Sequence, residues 1–139
     1  ATVAALGRAF GARGSDLLAA IGPSIGACCY EVGTDVKDRF TEADFTAEEL
    51  ARWFLRGPVE SPGNPSMSGV APKGRHDHWF FDAWAAAREQ LVAEGLAGDQ
   101  IFTAELCTAS HAATFCSYRR DGGPTGRIAG AIRRLPPRP

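Results

Sequence analysis

The sequence predicts an α+β fold, and three observations carry that prediction. Apolar residues recur at the helical period in several stretches. Short apolar or β-branched runs bounded by glycine and proline lie between those stretches. The two kinds of segment do not alternate in strict βαβ order, which favours α+β layers over a doubly wound sheet.

The elements follow from the N-terminus. Val3, Leu6 and Phe10 fall at i, i+3 and i+7, a helical stripe with no capping residue before it, and Gly11 and Gly14 then supply stop signals. A helix that starts uncapped at Ala1 is expected for the tail of something longer; a trimmed but complete domain is the alternative. Leu17 to Gly22 (LLAAIG) is a short apolar run of buried-strand type. The loop PSIGACCYEVG follows, given backbone freedom by Gly22 and Gly26. Val32, Val36 and Phe40 mark a short amphipathic helix, and Thr46-Ala47-Glu48-Glu49 is a capping box opening another, with Leu50, Trp53 and Phe54 on one face.

Residues 57–74 hold four prolines and four glycines and read as a surface loop. From about Trp79 to Glu94 the apolar spacing predicts the clearest helix, with Asp77 and Asp82 near its positive end and Gly95 at the C′ position. Ile101 to Thr108 and Ala113 to Arg119 read as two strands, and GRIAGAIRRL as a last strand before a proline-rich tail.

Composition bounds the function. The chain has 139 residues, 45% hydrophobic and 22% charged, as expected for one domain or a large part of one. A formal charge of -1 gives no electrostatic case for nucleic acid or an anionic membrane. Basic residues do gather in the last third, at Arg119, Arg120, Arg127, Arg133, Arg134 and Arg138, which leaves room for a local anion site. No apolar run approaches the roughly 20 residues of a membrane span and no signal-like segment opens the chain, so a soluble, cytoplasmic protein is expected.

Four cysteines, Cys28, Cys29, Cys107 and Cys116, include no CxxC pair. Adjacent Cys28 and Cys29 do not readily bridge each other, and buried reduced thiols are the favoured reading. His76 and His78 would share a face on a strand, but no third ligand stands at a diagnostic spacing. This chain is therefore expected to hold no metal of its own. His111 reads as a solvated turn histidine.

The stronger signal is SYRRDGGPTGR. It reads as a strand end, a Gly-Gly-Pro turn and a return, that is, a hairpin with Arg119 and Arg120 adjacent. Arginine binds phosphate bidentately and stays charged at any working pH. Neighbours on a strand face opposite ways, so one arginine could face a ligand while the other pairs with Asp121 or Glu105.

IGPSIGACCYEVG, FFDAWAAAREQL and CT…SYRRDGG.TGR, in this order and separation, resemble the C-terminal half of the YfiH-type family. That family has been labelled laccase-domain or multicopper polyphenol oxidase and is read as zinc-dependent purine nucleoside phosphorylases. The resemblance runs from Ala1 to about Leu135. It implies a layered α-β-β-α sandwich with mixed sheets, residues 1–139 being the C-terminal part of one domain that is incomplete at its N-terminus. It implies phosphorolysis of adenosine, inosine, guanosine and methylthioadenosine, together with adenosine deamination. Purine nucleosides and phosphate are the implied partners, and a homodimer is left open. The implied zinc ligands, two histidines and a cysteine, belong to the family's N-terminal half, so the catalytic residues are expected upstream of Ala1 and an isolated chain is expected to be inactive.

Within this half the matched candidates are Ser24 for hydrogen bonding to ligand, and Ser117, Arg119, Arg120 and Arg127 for phosphate or for the shape of the site. Tyr30 and Glu31 match the family's CYEVG segment and read first as helix-entry structure. Cys116 stands where an aromatic residue is usual, and GRHDHWFFD is looser than the family pattern. Two other classes stay open. A copper-dependent polyphenol oxidoreductase would need histidines with Cys or Met ligands, and three histidines and one Met (Met67) do not supply that spacing. The other is a non-catalytic interaction module.

Overall fold

Apolar periodicity sets the helices of this chain, but strand pairing sets where they stop. The computed structural model describes residues 2–69 and 76–132. Helix α1 (Thr2–Phe10) ends at Gly11, whose φ of 67° is left-handed and costs a glycine nothing. Strand β1 (Ala19–Ile21) is the core of the apolar run 17–22, and it pairs in parallel with β5 (Ile101–Thr103) in the register Ala19↔Ile101 to Ile21↔Thr103.

The second sheet is antiparallel. Strands β2 (Glu31–Gly33) and β3 (Phe54–Leu55) flank β4 (His78–Phe81), with Val32↔Trp79 and Phe54↔Phe81 in register. Helices α2 (Thr34–Glu42) and α3 (Ala47–Trp53) lie between β2 and β3 in the chain. The predicted capping box is present: Glu49 N donates to Thr46 Oγ1 at 3.3 Å and Thr46 N to Glu49 Oε2 at 2.8 Å. Among the described residues the result is a mixed α/β fold with one parallel and one antiparallel sheet.

Helix α4 (Ala83–Ala93) packs on α3 and also on β1 and β5, so it joins the two sheets. It is shorter than the predicted span from Trp79. His78–Phe81 extend as β4 because Phe80 and Phe81 bury between two partner strands, and the chain turns helical only at Asp82, whose carboxylate accepts from Trp84 N and Ala85 N. Asp77 consequently sits beside a strand and not at a helix start. Gly95 does take the C′ role, with φ of 93°. Where the sheet and α3 meet, Val32, Leu50, Trp53, Phe54, Phe81 and Ala86 form the main core. Phe54 stacks on Phe81 at 4.8 Å and Phe40 meets Phe54 edge-on at 5.3 Å.

The C-terminal third departs furthest from expectation. Ile101–Thr103 is a strand, but only an isolated bridge at Cys107 continues it. Residues 113–117 form turns and irregular backbone, and Tyr118–Asp121 is a short helix, α5, so the predicted strand over 113–119 and the arginine hairpin do not form. Ser117 caps α5, its hydroxyl accepting from Arg120 N at 3.4 Å, and Gly122 closes it with φ of 67°. Local capping therefore overrides the β-branched and aromatic content of the run. Residues 126–132 carry no strand. The rest of the predicted last strand, the tail with Arg133, Arg134 and Arg138, and the loop portion 70–75 lie outside the described residues. Among the described residues no helix is long and apolar enough to cross a membrane.

Candidate functional site

The loop after β1 and the segment after β5 continue side by side beyond the parallel pair. Ser24 and Cys107 form a parallel bridge, and Thr108 N donates to Ser24 O at 3.0 Å. Helix α4 backs this junction: Trp84 Nε1 donates to Ser24 Oγ at 2.7 Å. Gly26 must stay without a side chain here, because a Cβ would lie 2.7 Å from Trp84 Cη2.

In front of the junction is a cleft of about 300 Å³ lined by Ile25, Tyr30, Thr108, Cys116, Ser117, Tyr118 and Arg119. Arg119 is exposed at its wall. Its Nη1 donates to Glu31 O at 2.6 Å, and its guanidinium lies 5.4 Å from the centre of the Tyr30 ring. This hydrogen bond ends on a carbonyl, so the contact does not itself neutralise the guanidinium.

Arg120 does the opposite. It donates to the carbonyls of Thr108 at 2.9 Å, Ala109 at 3.3 Å and Phe115 at 2.9 Å, and its Nε pairs with Asp121 Oδ1 at 2.8 Å. That side chain clamps α5 onto the segment after β5. Asp121 also accepts from Ser117 N and Thr125 Oγ1; the Ser117 amide first, then Arg120 and Thr125, hold its carboxyl below the usual carboxylate range.

The five residues singled out in the sequence thus separate. Ser117, buried, and Arg119, exposed, share the cleft. Ser24 and Arg120 are engaged with the scaffold, and Arg127 turns back to the carbonyls of Thr125 and Gly126. The two arginines point differently because successive residues of a helix are about 100° apart, not because of strand alternation.

Beneath the cleft lies a cluster that sequence spacing did not reveal. Cys28, Cys29 and Cys107 are at most 1% exposed, and their sulfurs lie within 4.8 Å of one another. All the cysteines are free thiols, as expected. Gly26 N donates to Cys107 Sγ and Met67 N to Cys29 Sγ, each at 3.3 Å. Ser110 Oγ lies 3.5 Å from Cys28 Sγ and 3.6 Å from Cys29 Sγ while donating to Pro65 O at 2.6 Å. Asn64 ties the proline-rich loop to this region, its Oδ1 accepting from Cys107 N at 2.7 Å.

Burial pushes the Cys28 thiol up to about 12. Burial also acts to raise Cys107, but hydrogen bonds from Ser110 and the Gly26 amide outweigh it and bring that thiol down to about 7. Three thiols so placed could hold a metal ion, a group that the long separation between Cys29 and Cys107 conceals in the sequence.

His76 and His78 belong to no such group among the described residues. His78 Nδ1 lies 2.9 Å from Asp77 Oδ1. His111 occupies a turn, as predicted, but it is half-buried with an inaccessible Nε2, edge-on to Phe115. Tyr30 and Glu31 enter a strand rather than a helix.

The chain and its mixed α/β fold have counterparts among known proteins. Residues 1–135 match the family model described as multi-copper polyphenol oxidoreductase laccase. The chain is 36% identical over 120 residues to "Purine nucleoside phosphorylase YlmD" of Geobacillus stearothermophilus, covering 86% of this chain and 37% of that protein. It is 32% identical over 131 residues to a purine nucleoside phosphorylase of Bacteroides thetaiotaomicron, covering 94% and 42%. Among solved structures, YfiH of Bacillus licheniformis superposes with a TM-score of 0.69 at 28% identity, covering 88% of this chain and 39% of that one. YlmD of Geobacillus stearothermophilus superposes with a TM-score of 0.63 at 32% identity. The chain therefore belongs to the multi-copper polyphenol oxidoreductase laccase family, whose YfiH and YlmD relatives share its fold. It spans well under half the length of these relatives.

Proposed function

We propose that this chain is part of a purine nucleoside phosphorylase and supplies the phosphate-facing wall of its site. In that reaction a phosphate oxygen attacks C1′ of the ribose. The C1′–N9 bond breaks, and the purine leaves with the bonding pair and takes up a proton. The observation that carries the reading is Arg119, exposed at the wall of a 300 Å³ cleft, where its guanidinium bonds a backbone carbonyl and lies 5.4 Å from the centre of the Tyr30 ring. A guanidinium so placed suits an incoming phosphate, and the Tyr30 ring offers a flat apolar surface beside it. The names of the relatives point to the same reaction.

Adenosine, inosine, guanosine and methylthioadenosine are the proposed nucleosides, with adenosine deamination as a second activity. The zinc proposed for the whole protein is carried by residues outside this chain and would polarise substrate groups or activate water. A cytoplasmic location is proposed on the same footing, the free thiols being compatible with a reducing compartment.

A copper oxidoreductase is less well supported. The cysteine cluster includes no imidazole, which blue copper sites require. The deciding experiment incubates the full-length protein that carries this chain with each nucleoside and inorganic phosphate and measures ribose 1-phosphate. Release that needs phosphate is the expected result; no ribose 1-phosphate from any of the four would end the proposal.

A further inference from the structure

We propose that Cys28, Cys29 and Cys107 form a tris-thiolate site for a thiophilic closed-shell cation, Zn²⁺ or Cu⁺. Its three ligands all belong to this chain, and it does not depend on the phosphorylase reading.

Geometry is the first argument. Around a tetrahedral ion with sulfur at about 2.3 Å, neighbouring sulfurs stand roughly 3.8 Å apart. The three sulfurs already lie within 4.8 Å of one another, so closing on an ion needs shifts of less than about 1 Å at each sulfur. They reach this arrangement from two segments that the Ser24–Cys107 bridge holds in register.

The second argument is what surrounds the sulfurs. The amides of Gly26 and Met67 donate to Cys107 and Cys29 at 3.3 Å. Such amide donors stabilise sulfur in the thiolate form that ligates a metal. Cys29 Sγ also donates to Pro65 O at 3.7 Å, through a proton that metal binding would displace. Burial at 1% or less excludes bulk water, and the donor set is sulfur alone, which selects against Mg²⁺ and Ca²⁺.

Ser110 distinguishes the two cations. Its Oγ is 3.5 and 3.6 Å from two of the sulfurs, a separation that suits a fourth tetrahedral ligand. Zn²⁺ would use that position, while Cu⁺ is satisfied by three sulfurs. On binding, each thiol still protonated gives its proton to solvent as its sulfur bonds the metal, so no redox partner is required.

The test uses the reduced protein of this sequence, freed of metal. One arm is titrated with Co²⁺, the spectroscopic stand-in for Zn²⁺, followed by Zn²⁺ competition. The other receives Cu⁺ under anaerobic reducing conditions. One equivalent per chain is expected, with sulfur-to-metal charge-transfer absorption. Cys107→Ser should weaken binding beyond the roughly 10–100-fold typical of losing a supporting partner; Cys116→Ser, outside the cluster, should leave metal uptake unchanged. Ser110→Ala should weaken the Co²⁺ and Zn²⁺ arm and spare the Cu⁺ arm.

X-ray absorption on the unmutated, loaded protein needs no variant. Three sulfur neighbours at about 2.3 Å are expected. Nitrogen or oxygen neighbours instead, full binding by Cys107→Ser, or no uptake of either cation would each overturn the proposal.

Discussion

Arg120 donates from Nη1 to the carbonyl of Thr108 at 2.9 Å, fixing α5 to the strand-like segment that also carries Cys107. Its neighbour Arg119 makes one backbone contact, to Glu31 O, and remains exposed.

This asymmetry predicts unequal stability effects. Arg120→Ala leaves the carbonyls of Thr108, Ala109 and Phe115 without their charged donor. It should cost about 1.5–3 kcal/mol, since hydrogen bonds to charged groups contribute that much. For a chain of this size that corresponds to a drop in Tm on the order of 5–10 °C. Arg119→Ala should stay within about 0.5 kcal/mol, as exposed substitutions do. Melts of the two variants under one condition decide it, and equal losses would contradict the assignment.

The same pair predicts unequal kinetics, conditional on phosphorolysis. In the full-length enzyme, Arg119→Ala should reduce kcat/KM for phosphate-dependent cleavage by about 100-fold, the equivalent of roughly 2.7 kcal/mol of lost transition-state binding. Deamination uses water and not phosphate, so it should fall much less. Parallel loss of both activities would place Arg119 in the scaffold.

Gly26 predicts an overpacking defect. A Cβ at this position would sit 2.7 Å from Trp84 Cη2 and could be relieved only by moving a ring that is hydrogen-bonded to Ser24. Gly26→Ala should cost about 1–3 kcal/mol. Combining it with Trp84→Leu should cost less than the sum of the two, because the second change removes the obstructing ring. Denaturant titrations of the four proteins in the cycle measure the coupling, and strict additivity would show that the clash is absent.

The α3 capping box predicts an acid-side effect. Thr46→Ala should cost about 1 kcal/mol near neutrality, as for other threonine caps. The backbone amide of Thr46, then its hydroxyl, hold the Glu49 carboxyl below its ordinary 4.5. The stabilisation from Glu49 is therefore complete above 4.5 and is lost as pH falls through the lower folded value. Glu49→Gln should be less stable than the parent at ~pH 6, with the gap narrowing toward ~pH 3. A gap that widens in acid would reverse the sign argued here.

Features with local causes are readable from the residues alone. Thr46 and Glu49 are three residues apart and cap the same turn; Gly95 follows the last periodic residue; the run 17–22 is apolar between glycine signals. The α5 cap was legible too, since Ser117 precedes a short polar run that Gly122 ends, but β-branched and aromatic content upstream masked it. Only tertiary structure decided that Trp79–Phe81 pair as a strand, because their spacing suits either a helix or a sheet and the choice came from β2 and β3 on either side. Only tertiary structure also separated Arg119 from Arg120 and brought Cys107 to Cys28 and Cys29. Contacts between residues about 80 apart depend on which strands pair in parallel, and no local spacing encodes that pairing.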